Sequence, residues 1–140
     1  MRRHQLKFRQ IPGSYAIVHQ APAAPIPAWA TKGDFTSITR TTDELSIVCT
    51  AKNIPKEIDP DPFWICLKLE GPFAFSQTGI LLSFIEPLSN SGVPIFAIST
   101  YDTDYVLVQE KFADEALVAL EKTGHELVAD DDESLPKAKA

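Results

Sequence analysis

Clustered basic residues are what this chain lacks most plainly. It carries 13 Lys and Arg against 19 Asp and Glu in 140 residues, for a net charge of −6 and a pI near 5.0. Phosphate backbones are held by grouped Lys and Arg, so a nucleic-acid partner is excluded as an expectation. No run approaches the roughly 18 apolar residues of a membrane span. The basic start around Arg2, Arg3 and Lys7 is followed by alternating polar residues and by Pro12 and Gly13 rather than an apolar stretch, so it does not read as a signal peptide. A cytoplasmic location is the expectation. Only two cysteines are present, Cys49 and Cys66, with no CxxC spacing, and both sit in apolar strand-like runs. They read as buried reduced thiols. The three histidines, His4, His19 and His125, have no metal-ligand spacing, so no metal and no cofactor is expected. Glycine-rich phosphate loops, GxSxG and HExxH are all missing, and nothing sets a nucleophile beside an acidic pair. The chain is not expected to be an enzyme.

What is present is ordinary in amount, with 44% hydrophobic and 23% charged residues, and informative in arrangement. Residues 38–48 lie without gaps over residues 98–108, with Ile38 over Ile98, Glu44 over Asp104 and Val48 over Val108. Each copy reads as strand, acidic turn, strand, which suggests a duplicated α+β module. Leu6–Arg9 and Tyr15–Gln20 read as strands on either side of a turn at Pro12 and Gly13. Pro22, Pro25 and Pro27 leave room for no more than a short helical turn near Pro27–Ala30. Phe35–Arg40 and Leu45–Ala51 form the first hairpin, and Asn53–Pro62 is a proline-rich linker.

Phe63–Leu69 is nearly continuous in apolar residues, as a strand covered on both faces would be. After a turn at Gly71–Pro72, a helix is expected to be capped by Ser76 or Thr78, with Ile80, Leu81, Phe84, Ile85 and Leu88 on one face and Pro87 in its last turn. Ile95–Ser99 and Tyr105–Gln109 make the second hairpin. Ala113–Thr123 is an amphipathic helix closed by Gly124, and Glu126–Ala129 a final strand. The order β-α-β-β-α-β is the ferredoxin-like arrangement. The fold class expected is therefore α+β: tandem ferredoxin-like units, antiparallel sheets with helices on one face, the first unit (1–60) truncated, the second (61–129) complete, and a disordered tail (130–140).

Residues 63–80 and 98–108 together resemble the ACT domain family, particularly the ACT-like domains of the cytosolic arginine sensor and its small bacterial relatives. The resemblance covers roughly residues 60–129, with a weaker echo in the first half. It implies a regulatory, small-molecule-binding module, the ligand being a free amino acid, with no catalysis of its own. The implied ligand-binding positions are Gln77, Thr78, Gly79 and Ile80 at the helix entrance, and Thr100, Tyr101, Asp102 and Asp104 on the hairpin. The arginine sensor has an acidic residue at the place of Gln77. Elementary chemistry fits the same positions: a helix N-terminus favours a carboxylate, and Asp102 or Asp104 suits an ammonium group. Plain structural roles compete, since Asp is common in turns and Thr at helix starts. ACT modules pair, and the truncated half leaves sheet edges to cover, so a homodimer is expected. The rival expectation is a protein-interaction or assembly module with this fold and no ligand.

Overall fold

The computed structural model describes residues 4–71, 73 and 77–129. The expected tail at 130–140, Pro72 of the expected turn and the candidate cap Ser76 lie outside the described residues. Among the described residues, seven strands and two α-helices follow in order: β1 Lys7–Gln20, β2 Ser37–Arg40, β3 Leu45–Thr50, β4 Trp64–Leu69, α1 Ile80–Asn90, β5 Ile95–Ser99, β6 Asp104–Gln109, α2 Ala113–Lys122 and β7 Glu126–Leu127. The fold is mixed, with largely antiparallel strands and few helices. No helix among the described residues is long and apolar enough to cross a membrane. The chain divides into two compact units. One holds the residues up to Gln10 together with those from Leu67 onward; the other holds Ile11–Cys66.

In the first of these units the strands run in the order β7, β1, β4, β6, β5. The sequence led to an expectation of Glu126–Ala129 as the closing strand of a β-α-β-β-α-β unit. Instead the start of β1 stands between β7 and β4. Glu70 donates to Lys7 at 2.9 Å on one side, and on the other Glu126 donates to Leu6 at 2.8 Å and Val128 to Phe8 at 2.9 Å. The physical reason lies in Leu6 and Phe8, both buried, which bring apolar surface that the sheet can cover. The Phe8 and Phe84 rings meet edge to face with centroids 5.2 Å apart.

α1 packs against α2. Its buried face is Ile80, Ser83, Phe84, Pro87 and Leu88, while Leu81 and Ile85 are half-buried. The stripe is thus rotated toward Ser83 from the one the apolar pattern indicates. Ser83 is buried because its groups are used: its Oγ accepts from the His4 amide at 2.9 Å. Thr78 is not the cap either. The N-cap position is Gly79, held at φ 78°, which has no side chain to cap the helix. Gly124 does stand after the last turn of α2 in the left-handed conformation, at φ 93°, and the His125 amide reaches back to Leu120 at 3.1 Å.

The other unit carries β2, β3 and β1 side by side. β1 does not turn at Pro12 and Gly13. Gly13 takes φ 97° and the strand continues through it, as a glycine at an irregular point of a strand allows. Val18, Ala30, Leu45, Ile47 and Cys49 form its core, with Trp29 and Ile38 packed against them. The proline-rich stretch yields a single 3-10 turn at Ala28–Thr31. Both cysteines are buried and free; burial pushes the Cys49 thiol up to about 11 and the Cys66 thiol up to about 12.

The two hairpins share one design with a shifted correspondence. Arg40 pairs with Leu45 in the first, and Ser99 with Asp104 in the second. Arg40 therefore corresponds to Ser99, 59 residues on (99 less 40), whereas the gapless echo implies 60. Thr41 donates to Glu44 at 2.9 Å, and Thr100 to Thr103 at 2.8 Å. Both hairpins lead into a 3-10 turn, at Ala51–Asn53 and at Glu110–Phe112. A slip of one residue exchanges the faces of a strand, so the true partner of Asp102 is Asp43, and Glu44 corresponds to Thr103.

Candidate functional site

The turn of the second hairpin is tied down from both sides. Thr100 closes it with its amide at 2.8 Å and its hydroxyl at 3.0 Å from the Thr103 carbonyl. The buried Thr103 hydroxyl donates to the Leu69 carbonyl at 2.7 Å, which fixes the turn against the end of β4. The Phe73 amide donates to the Asp102 carbonyl at 3.1 Å. Gly71 is where the chain leaves β4, and a Cβ there would stand 3.0 Å from the Phe73 nitrogen and 3.1 Å from the Asp102 oxygen. A side chain there would push the loop and the hairpin apart by a few tenths of an ångström, so glycine suits this close approach.

Between the start of α1 and this turn lies a cleft of about 540 Å³ including its open mouth. It brings together Gln77 and Ile80 from the helix entrance with Thr100, Tyr101, Asp102 and Asp104 from the hairpin. Thr78 and Gly79 are not on its walls. The Thr78 carbonyl instead accepts from His4 Nε2 at 3.1 Å, and the Gly79 carbonyl from the Ser83 amide at 2.9 Å. Phe73, Ser99 and Thr103 complete the lining. Sequence reasoning missed these three; Ser99 stood inside the echoed segment, and Phe73 two residues past Gly71.

The cleft's electrostatics follow from its lining. Two carboxylates face it and no basic side chain among the described residues does, so a cationic group is favoured there. The Ser99 hydroxyl donates to the Asp104 carboxylate, which orients that carboxylate on the pleat. Tyr101 is 80% exposed at the rim. Ile80, buried, and Phe73 add an apolar wall. An 11-residue helix begins beside this wall with glycine, which has no capping side chain, at its N-cap, and the helix dipole puts a partial positive charge at that end. Opposite charges thus sit at two sides of one small cleft, an arrangement suited to a ligand that carries both.

An ACT domain family model matches residues 60–122, and a second model, described as an N-terminal domain, matches residues 13–57. A protein of Agrobacterium tumefaciens of known crystal structure is 46% identical, with TM-score 0.84, over 89% of this chain and 93% of that one. A Vibrio cholerae protein of unknown function, described as a possible transport protein, is 19% identical, with TM-score 0.68, over 83% of this chain and 88% of that one. The ligand-free regulatory subunit of Thermus thermophilus aspartate kinase is 12% identical, with TM-score 0.56, over 81% of this chain and 93% of that one. The last two likenesses are of fold alone.

Proposed function

The chain belongs to the ACT domain family, and from that premise we propose that it is a non-catalytic sensor of a free amino acid, regulating a partner through the occupancy of this cleft. The observation that carries the reading is the convergence of Gln77 and Ile80 with Asp102 and Asp104 on one cleft. The ligand's ammonium group sits against Asp104 and Asp102 in charge-assisted hydrogen bonds. Its carboxylate sits toward the first turn of α1, where the dipole favours an anion. Phe73 and Ile80 take the side chain, and Gln77, an uncharged amide, favours a neutral one. Affinity in the micromolar to millimolar range follows from a few such bonds, each worth about 1.5–3 kcal/mol.

The protein acts as a homodimer in this reading, since ACT modules pair and a second copy would cover open strand edges. A sedimentation run giving a monomer mass at tens of micromolar removes that part. The tandem origin of the two halves is supported by the hairpins' shared register and turn bond.

A thermal-shift screen of the twenty amino acids tests the function. At ten times Kd the ligand should add about 1.4 kcal/mol, a rise of several degrees for a domain of this size. Asp104→Ala should abolish the shift and leave the unliganded melting temperature within about 2 °C. A flat screen would favour an assembly module, a role to which the exposed Tyr101 at the hairpin tip is also suited.

A further inference from the structure

The unit formed by Ile11–Cys66 has an opening of its own, at the end of its hairpin away from the 41–44 turn. Three segments enclose it: the irregular point of β1, the residues just before β2, and the 3-10 turn after β3. The cleft measures about 460 Å³, within the roughly 300–1,000 Å³ of small-molecule sites. Asp34 stands on the segment before β2 and Lys52 on the turn after β3. No ion pair joins the two among the described residues, though they share one rim. Ser14, Thr50 and Asn53 supply hydroxyl and amide groups along the wall. The Asn53 side chain is anchored, its Nδ2 donating to the Lys32 carbonyl at 3.1 Å. At Gly13 a Cβ would meet nothing within 4 Å, so that stretch of wall is bare backbone.

Two opposite charges left apart on one polar cleft are the complement of a molecule with its own two charges a few ångströms apart. We propose that this cleft is a second small-molecule site, taking a zwitterion with its carboxylate on Lys52 and its ammonium on Asp34. Lys52 reaches on a flexible four-carbon stem and closes onto the carboxylate. Thr50, Ser14 and Asn53 provide the neutral hydrogen bonds that fix orientation. All of these residues belong to one unit, so the site does not depend on the Asp104 cleft or on the function assigned to it.

Titrating the amide spectrum of the full chain with L-alanine or L-serine, and separately with acetate and methylammonium at constant ionic strength, tests the proposal. The amino acids should shift the Gly13, Gly33 and Asn53 amides saturably, and each single ion should bind at least about tenfold more weakly. Asp34→Asn and Lys52→Gln should each weaken binding about tenfold, the expected loss of one charge-assisted bond. The joint reversal Asp34→Lys with Lys52→Asp should restore it to within about threefold. Asp104→Ala should leave these shifts in place, separating this site from the other. The proposal is overturned if neither amino acid moves those amides, if acetate or methylammonium alone binds as tightly, or if the single variants bind unchanged.

Discussion

At His125 three segments of the chain depend on one ring. The Leu6 amide donates to its Nδ1 at 3.0 Å, so Nδ1 is unprotonated and Nε2 carries the hydrogen. That hydrogen goes to the Ser83 carbonyl at 2.8 Å. The ring is buried and lies 5.5 Å, centroid to centroid, from Phe84. Burial lowers its pKa, and the bond to the Ser83 carbonyl opposes the shift in part. A second proton on Nδ1 would confront the Leu6 N–H. In the unfolded chain nothing opposes protonation, which occurs near 6.5. Above that pH the neutral ring's contribution to stability is complete. As pH falls through 6.5 the unfolded state binds the proton first, and the contribution is lost progressively until the lower native value is passed. Melting temperature should therefore fall between pH 7.5 and 5.5 in the natural protein. His125→Phe should flatten that part of the profile, and a variant melting with the same pH slope would show that another group is responsible.

Helix α1 gives the same histidine a second purpose. Pro87 has no N–H, so the Ser83 carbonyl four residues back lacks its normal helical donor. His125 Nε2 supplies one from outside the helix. The two positions should thus be coupled. His125→Phe alone should cost about 2–3 kcal/mol by leaving a buried donor and acceptor unpaired. In a Pro87→Ala background residue 87 can donate to Ser83, and the same change should cost about 1 kcal/mol less, measured by urea unfolding in a double-mutant cycle. Equal costs in both backgrounds would refute the coupling. Such features explain what the sequence does and does not disclose about elements. β4 was legible because Ile65, Cys66 and Leu67 form an apolar run, and α2 because its spacing, first-turn acids and Gly124 agree. The α1 stripe was misjudged because burial of Ser83 follows from partners at His4 and His125, remote in sequence. β1 looks like two strands in sequence because Pro12 and Gly13 resemble a turn, and only strand pairing reveals the path taken. In the cleft, Gln77, Ile80 and the hairpin acids were legible from chemistry and resemblance together. Phe73 and Thr103 enter it through tertiary bonds to Asp102 and Leu69, which leave no trace in local pattern.

At the scale of the whole molecule, the unit that carries the Asp104 cleft is discontinuous in sequence. A cut near residue 60, where the proline-rich linker invites one, leaves behind Leu6 and Phe8. Phe8 is fully buried against Phe84, and losing such a ring costs about 3–5 kcal/mol. The same cut removes the acceptors for the Glu70, Glu126 and Val128 amides and the donor to His125 Nδ1. It also removes Arg9, whose Nε lies 2.6 Å from the Glu70 carboxylate and whose guanidinium bonds the Ala129 carbonyl at 2.6 Å. These losses together rival the 5–15 kcal/mol that holds an ordinary domain folded. A fragment of residues 61–129 should accordingly show a collapsed, poorly dispersed amide spectrum and no cooperative melt. Joining residues 1–10 through a flexible linker to residues 67–129 should restore a sigmoidal transition, because that chain regains the strand between β7 and β4. A cooperative melt from the bare 61–129 fragment would mean that β7 can close onto β4 unaided, and that the first ten residues decorate this unit without completing it.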